Sequence, residues 1–443
     1  MDYIFERITI MCAQLLSTQP YKGTRDFYPD DMRLRNWFFG KIRETLETAA
    51  FDEYNGPMLE SLELYAAKSG EEIANKQTYN FVDRGDRSVA IRPEMTPTVA
   101  RMVAAKMNDL SFPLRWFSIP NMYRYEATQR GRLREFWQLN VDIFGCDTYE
   151  ADLETIVSAI RIMRSFGADE TMFTVRINNR RFFNDVIAAI SGGDADKSKL
   201  VSKVIDKKNK IPREVYEKEL TALGLTAEQI ARIDELYGMS VADATAICPD
   251  SVGANELRLL FEALDKLGLS KYCLFDFGII RGLDYYTGTV FEVFDNAPEN
   301  NRAMFGGGRY DNLVGLFVKN AKISGVGYGM GDVTLENFLV THGLIPEMFN
   351  TDVKVLVTRF DDVPYEEYMA ITNSLRDADV TASVYLGSKK FGKQIDYAVK
   401  NGYTHVVIMG GSELAEKKVK IKDLLTREES TVDANELIAF FKK

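Results

Sequence analysis

Residues 281–288 read Arg-Gly-Leu-Asp-Tyr-Tyr-Thr-Gly, which places a fixed positive charge, two adjacent phenols and two glycines at the mouth of an alternating segment. From Tyr285 to Phe294 the pattern is that of a strand. Tyr285, Thr287, Thr289, Phe291 and Val293 fall on one face; Tyr286, Val290 and Phe294 fall on the other. An arginine stays charged and forks onto carboxylate or phosphate oxygens. Paired tyrosines hold a flat polar ring by stacking and hydrogen bonding. The combination suits a pocket for an anion and a small heteroaromatic group, although by itself it fits an edge strand with surface tyrosines equally well.

Other segments add to that chemistry. Arg124, Arg130, Arg132 and Arg134 crowd one loop, with Gly131 to let the turn close. Converging arginines suit a polyphosphate, whose oxygens lie in several planes; the alternative is a solvated hairpin tip. Gln138 and Asp142 follow on the return strand at even spacing, so they share a face and could hold a polar ligand. In Arg92-Pro-Glu-Met-Thr-Pro97, Glu94 and Thr96 stand at a helix start, where Glu94 could pair with an ammonium group or simply complement the helix dipole. Gly306 to Gly308 and the alternating glycines from Gly325 to Gly331 lack a Walker lysine and do not fit the dinucleotide fingerprint. They predict a sheet floor that a flat ligand can approach closely. An amino acid together with ATP would satisfy all of these groups at once.

The elements that must position these residues can be traced along the chain. An amphipathic helix is expected over 30–52, and Thr96-Pro97 reads as an N-cap with proline opening a helix to about Met107. Residues 114–144 alternate as strands around the arginine loop, a helix follows at 148–165, and 172–177 is a strand. Residues 180–260 are helical and rich in Lys and Glu, with a capping box at Thr226-Ala-Glu-Gln229, and read as an inserted helical subdomain. Strands return at 273–294, and a helix runs from Asp332 to Thr341. Beyond Pro346, residues 352–443 alternate strand and helix as a small α/β domain able to fold alone.

Composition narrows the function classes. A chain of 443 residues should hold two or three domains. No apolar run reaches membrane-spanning length. The first 16 residues are broken by Asp2, Glu6 and Arg7 and lack a small-residue cleavage site, so no signal peptide is expected. Four scattered cysteines without CxxC spacing and only two histidines, His342 and His405, argue against structural zinc, a disulfide framework or a histidine-based nucleophilic mechanism, and fit a reducing cytoplasm. A net charge of −10 argues against non-specific nucleic-acid coating, though the lysines from Lys197 to Lys210 form a local basic run.

Tyr21-Lys-Gly-Thr-Arg-Asp-Phe27, Arg92 to Thr96, Arg124 to Gln138, Arg281 to Tyr286, Gly307-Gly-Arg-Tyr-Asp311 and the 352–443 domain occur in an order that resembles the histidyl-tRNA synthetases, class II aminoacyl-tRNA synthetases. The resemblance covers about residues 20–443, and its most specific motif is Arg281 to Tyr286. It implies an α+β fold: a class II antiparallel-sheet catalytic core at 18–345 with the helical insertion at about 180–260, and a C-terminal α/β anticodon-binding domain. It further implies a cytoplasmic homodimer. The implied reaction activates L-histidine with ATP, as its Mg2+ complex, to histidyl-adenylate and passes histidine to the 3′ end of tRNA(His). No structural metal or membrane is involved.

By motif position, Arg124 would hold the α-phosphate, Arg132 the terminal phosphates, and Arg281 the histidine carboxylate and α-phosphate together. Glu94, Thr96 and Gln138 would orient the amino group. Asp142, Tyr285 and Tyr286 would line the imidazole pocket, and Pro57 matches the dimer motif. A pocket that hydrogen-bonds the imidazole discriminates well enough to need no editing domain. One departure stands out: Thr334 occupies the position where the third motif carries an ATP-binding arginine, so Arg309 or Arg130 is expected to compensate. The loop tip 126–130 is expected at the acceptor stem, and the lysine run either touches RNA or is a solvated helical face. A non-catalytic histidine-sensing regulatory paralogue is the rival reading.

Overall fold

The computed structural model describes residues 15–66, 77–193, 195–205, 207–208, 211–280, 285–300, 302–347, 353–387 and 390–442. Arg281, and with it the first half of the 281–288 motif, lies outside the described residues. The chain divides into two compact units, 1–345 and 346–443.

The larger unit is built on a nine-stranded, mostly antiparallel sheet. At its centre Glu135–Phe144, Gly325–Gly331, Ala303–Tyr310, Thr289–Asp295 and Phe173–Asn179 lie side by side. The register creates rungs that run across the sheet. Glu292 faces Gly306, which faces Gly329, which faces Asn140. One rung along, Val290, Gly308, Gly327 and Asp142 are aligned. Directly opposed residues project to the same side, so one face of the sheet centre is carpeted with glycine and edged with polar groups.

The rungs between them carry Phe305, Met330 and Leu139, then Gly307, Tyr328 and Val141, then Arg309, Val326 and Ile143. Their side chains face the helix Tyr149–Ser165, where the Tyr328 and Ser158 hydroxyls meet at 3.2 Å. This face and the helices upon it form the main core, in which Phe38, Ile156, Ile160, Val175 and Leu257 are fully buried.

Several expected boundaries shift. The first long helix is Pro29–Glu47, shorter than 30–52. The helix after Glu94 spans Thr96–Lys106 and is capped at Met95, so Thr96 is its first residue and supplies no side-chain cap bond. The strand following the twin tyrosines is confined to Thr289–Asp295. The stretch after Asn179 is helical: Arg180–Ser191, Ala195–Ile205, Arg213–Ala222, Ala227–Glu235 and Val252–Lys266. Its capping box forms, with Thr226 N donating to Gln229 Oε1 and Gln229 N to Thr226 Oγ1.

A separate three-stranded sheet joins Leu59–Ser61, Ser88–Ile91 and Asn80–Val82. The C-terminal unit is a five-stranded sheet. Lys354–Val357, Thr381–Val384 and His405–Ile408 run parallel, with Tyr365–Asp377 and Phe391–Lys400 as crossover helices, and Lys418–Asp423 and Glu429–Asp433 close it antiparallel. No helix among the described residues is long and apolar enough to cross a membrane.

Candidate active site

A cleft of about 460 Å³ lies over the glycine-carpeted face. Glu94, Thr96, Arg124, Arg132, Gln138, Tyr285 and Tyr286 all line it, together with Gly306, Gly327, Gly329 and Gly331. The glycines are there because side chains would fill the space: a Cβ on Gly329 would collide with the Gln138 amide, and one on Gly327 with the Asp142 carboxylate and the Val141 carbonyl. Strand alternation turns the odd-numbered glycines of 325–331 toward the cleft and Val326, Tyr328 and Met330 toward the core.

At the amino-acid end, the Tyr285 hydroxyl donates to Glu94 Oε2 at 3.2 Å, and both residues are buried. Tyr285 packs edge-on against Tyr286 at 5.1 Å and Tyr310 at 5.8 Å. Burial, with Glu94 nearby, pushes the Tyr285 phenol well above its ordinary range, so it remains a neutral donor. Asp142 lies beneath this layer and does not line the cleft itself. It is 2% exposed and accepts a hydrogen bond from the Tyr310 hydroxyl. Burial pushes its carboxyl up to about 7, against the opposing hydrogen bond from Tyr310.

At the other end, Arg124 is anchored by Nε to the Pro93 carbonyl at 2.9 Å and lies 5.2 Å from the Phe136 ring centroid. Arg132 is exposed and reaches Glu126 at 3.4 Å. Charged hydrogen-bond donors held this way, with one side open, suit an incoming phosphate chain. A larger cavity of about 1360 Å³ adjoins the cleft and shares Gly131, Arg132, Glu292 and Thr334 with it; Arg130, Arg176 and Arg302 line it as well.

Arg309 is a correction. It does not reach the cleft: it is 2% exposed and projects from the core face of its strand. Nη2 pairs with Asp152 Oδ2 at 2.7 Å, Nε spans both Asp152 oxygens at 3.1 Å, and Nη1 and Nη2 donate to the carbonyls of Cys146 and Thr148. A guanidinium so fully engaged has nothing left for ATP. Arg130 is the other expected substitute, and it lines the adjoining cavity. Thr334 is used structurally, its hydroxyl donating to the carbonyls of Met304 and Gly331.

The lysine run resolves in part. Lys207 pairs with Glu219, Lys208 with Asp234, and Arg213 with Glu217 and Asp234. These cations tie the insertion's helices together, as a self-paired helical face would. Pro57 is exposed on a loop that Arg92 pins through the Gly56 carbonyl at 2.8 Å.

Three site features were not anticipated. Glu292 and Asn140 line the cleft, and both were findable: Glu292 has the parity of Tyr286, and Asn140 lies midway between Gln138 and Asp142. The third is Asp332, buried at the start of Asp332–Thr341, which accepts from Arg25 Nη2 at 2.6 Å and from the Trp137 amide at 3.0 Å. It ties the N-terminal segment, the return strand and the last helix together, and no local pattern announces a contact between residues so far apart in the chain.

Comparison with known proteins agrees with this geometry. The family model described as Histidyl-tRNA synthetase matches residues 23–332, and one described as Anticodon binding domain matches 352–443. The chain is 44% identical to the histidine–tRNA ligase of Leptospira biflexa serovar Patoc, over 98% of this chain and 99% of that protein. It is 37% identical to the one from Opitutus terrae, over 96% and 98%. Among solved structures, histidyl-tRNA synthetase from Nostoc sp. PCC 7120 superposes with a TM-score of 0.79 at 26% identity, covering 97% of this chain and 99% of that one. A Bacillus halodurans C protein described as an ATP phosphoribosyltransferase regulatory subunit/histidyl-tRNA synthetase shares the fold, with a TM-score of 0.72 at 22% identity over 89% and 99%. With family models covering both units and relatives matched along nearly their whole length, the chain belongs to the histidyl-tRNA synthetase family.

Proposed function

We propose that the chain is a histidine–tRNA ligase, joining L-histidine to ATP as histidyl-adenylate and then transferring histidine to the 3′ end of tRNA(His). The observation that carries this reading is the single cleft that gathers Glu94, Thr96, Gln138, Tyr285 and Tyr286 at one end and Arg124 and Arg132 at the other. Glu94 takes the α-ammonium group, with Thr96 and Gln138 orienting it. Tyr285 and Tyr286 wall the imidazole, and Asp142 supports that wall from below through Tyr310.

ATP enters as its Mg2+ complex, the ion being part of the substrate. As the histidine carboxylate attacks the α-phosphorus, charge grows on phosphate oxygens, and pyrophosphate leaves. Arg124 and Arg132, already oriented, stabilise that charge without rearranging. Arg281 is assigned by its motif to the carboxylate and α-phosphate.

The regulatory alternative shares the fold, so the fold does not separate the two readings. The assembled cleft and the 346–443 unit, which a histidine sensor would not need, favour the ligase. Homodimerisation is part of the proposal: Met58, Leu59, Phe81 and Val82 are exposed near Pro57 on the three-stranded sheet and suit a second copy. A cytoplasmic setting is proposed with it. Purified protein should charge tRNA(His) with labelled histidine when ATP is present. Absence of charging by folded protein would contradict the proposal.

A further inference from the structure

At its phosphate end the cleft does not close. Past Gly131, Arg132, Met304 and Thr334 it opens into the adjoining cavity, which Arg302 lines from the start of the strand Ala303–Tyr310. A bulge aims that strand end. Val293 is opposite Phe305, but Phe294 is opposite Ala303, so Met304 is an extra residue, and Ala303 and Met304 both line the cleft. Arg302 comes directly before them in the chain. The helix Asp332–Thr341 contains no lysine or arginine to bring to this junction. Its Thr334 turns a methyl group toward Gly131, where a Cβ would lie 3.6 Å away, and spends its hydroxyl on two carbonyls.

The Arg302 guanidinium is held in place without being neutralised. Nη1 donates to Gln129 Oε1 at 3.1 Å, and among the described residues it forms no ion pair. Two acids of the same cavity are already engaged: Asp295 by His342 and Asn300, and Asp276 by Arg176. Gln129 is itself fixed, exchanging backbone hydrogen bonds with Arg132 at 2.9 and 3.0 Å around Gly131, whose φ is +78°. Arg302 is therefore tied to the turn that carries Arg132. Arg132 is partly compensated by Glu126 at 3.4 Å. Arg130, on the same turn, has no side-chain hydrogen bond or ion pair among the described residues to orient it. A long unanchored side chain must be ordered before it binds, at a cost in entropy that the braced Arg302 has largely met in advance.

A forked cation with donors to spare and no acid beside it is a ready ligand for phosphate oxygens. We infer that Arg302 holds the terminal phosphates of ATP, and the pyrophosphate that leaves, together with Arg132 where the cleft meets the cavity. The inference rests on the ligase reading and goes beyond it by assigning a phosphate ligand that lies outside the arginine loop and outside the helix Asp332–Thr341.

The test compares wild type with Arg302→Ala and Gln129→Ala in histidine-dependent pyrophosphate exchange, with AMP as a competitor. Wild-type exchange comes first, because its absence overturns the ligase reading and this inference with it. In Arg302→Ala the KM values for ATP and for pyrophosphate should each rise about tenfold or more, while histidine KM stays within about twofold. AMP, which lacks the terminal phosphates, should inhibit that variant as well as it inhibits wild type. Arg302 is exposed, so its replacement should leave the thermal melt unchanged. Gln129→Ala keeps both cations and loses only the brace, so it should raise ATP KM no more than about threefold. The inference is overturned if ATP and pyrophosphate KM are unchanged in Arg302→Ala, or if AMP inhibition or histidine KM worsens in parallel with them. It is equally overturned if Gln129→Ala reproduces the full Arg302→Ala defect, since the arginine would then act only by bracing the loop.

Discussion

The two faces of the central sheet use the same residue types for opposite ends. On the cleft face, Arg124 and Arg132 sit above glycines with guanidinium edges left for a ligand. On the core face, one residue beyond Gly308, Arg309 is sealed under the helix Tyr149–Ser165 with every nitrogen committed to Asp152 or to carbonyls. Parity along the strand decides which fate an arginine meets. Chemistry is available where the strand shows glycine and no side chain covers the cation. Where side chains interdigitate with a helix, the same charge becomes a fixed internal brace, stable only while its partner is present.

Removing Arg309 should have the largest effect, and the effect should be on stability. Arg309→Ala leaves Asp152 buried without a counter-charge, which costs about 3–5 kcal/mol, read as a shift in the denaturant midpoint at unchanged m-value. Replacing the pair as Arg309→Met with Asp152→Leu should avoid most of the loss, since an apolar pair of similar volume is tolerated. On the other face Arg124→Ala should leave the melt nearly untouched but lower pyrophosphate exchange by about 10²–10³-fold, as loss of a preorganised charge donor does. Equal stability losses in the two variants would erase the contrast between the faces.

Asp142, at the inner end of a cleft-face rung, gives a pH-dependent test. Its folded-state carboxyl titrates at about 7 against an ordinary 3.8, so between those values the folded state holds a proton that the unfolded chain has released. Stability should therefore fall as pH rises through that window, with a slope of at most about 1.4 kcal/mol per pH unit, and level off above it. Asp142→Asn should flatten this slope in melts collected from pH 4 to pH 8. The smallest effect is expected from Gly329→Ala, whose methyl group displaces the Gln138 amide. Histidine KM should rise about tenfold while ATP KM moves little.

Much of this could be read in the chain because its signals are local. Strand alternation put Gln138 and Asp142 on one face, the Thr226 capping box marked a real helix start, and glycine clusters announced a flat floor. Arg309 was misplaced because its role was taken from the absent third-motif arginine, whereas the alternation of the strand Ala303–Tyr310 turns it inward. The Arg25–Asp332 and Arg309–Asp152 pairs join segments separated by more than a hundred residues. Only the closed sheet brings such partners together, and neither partner advertises the other by spacing.

The central claim, that the adenylating chemistry belongs to the glycine-floored face alone, is tested most directly by histidine-dependent exchange of pyrophosphate into ATP in three folded proteins. Wild type should exchange with histidine and not with other amino acids. The Arg309→Met/Asp152→Leu pair should exchange at a comparable rate, and Arg132→Ala should be severely impaired. An active Arg132→Ala protein alongside an inactive but folded Arg309→Met/Asp152→Leu protein would contradict the account.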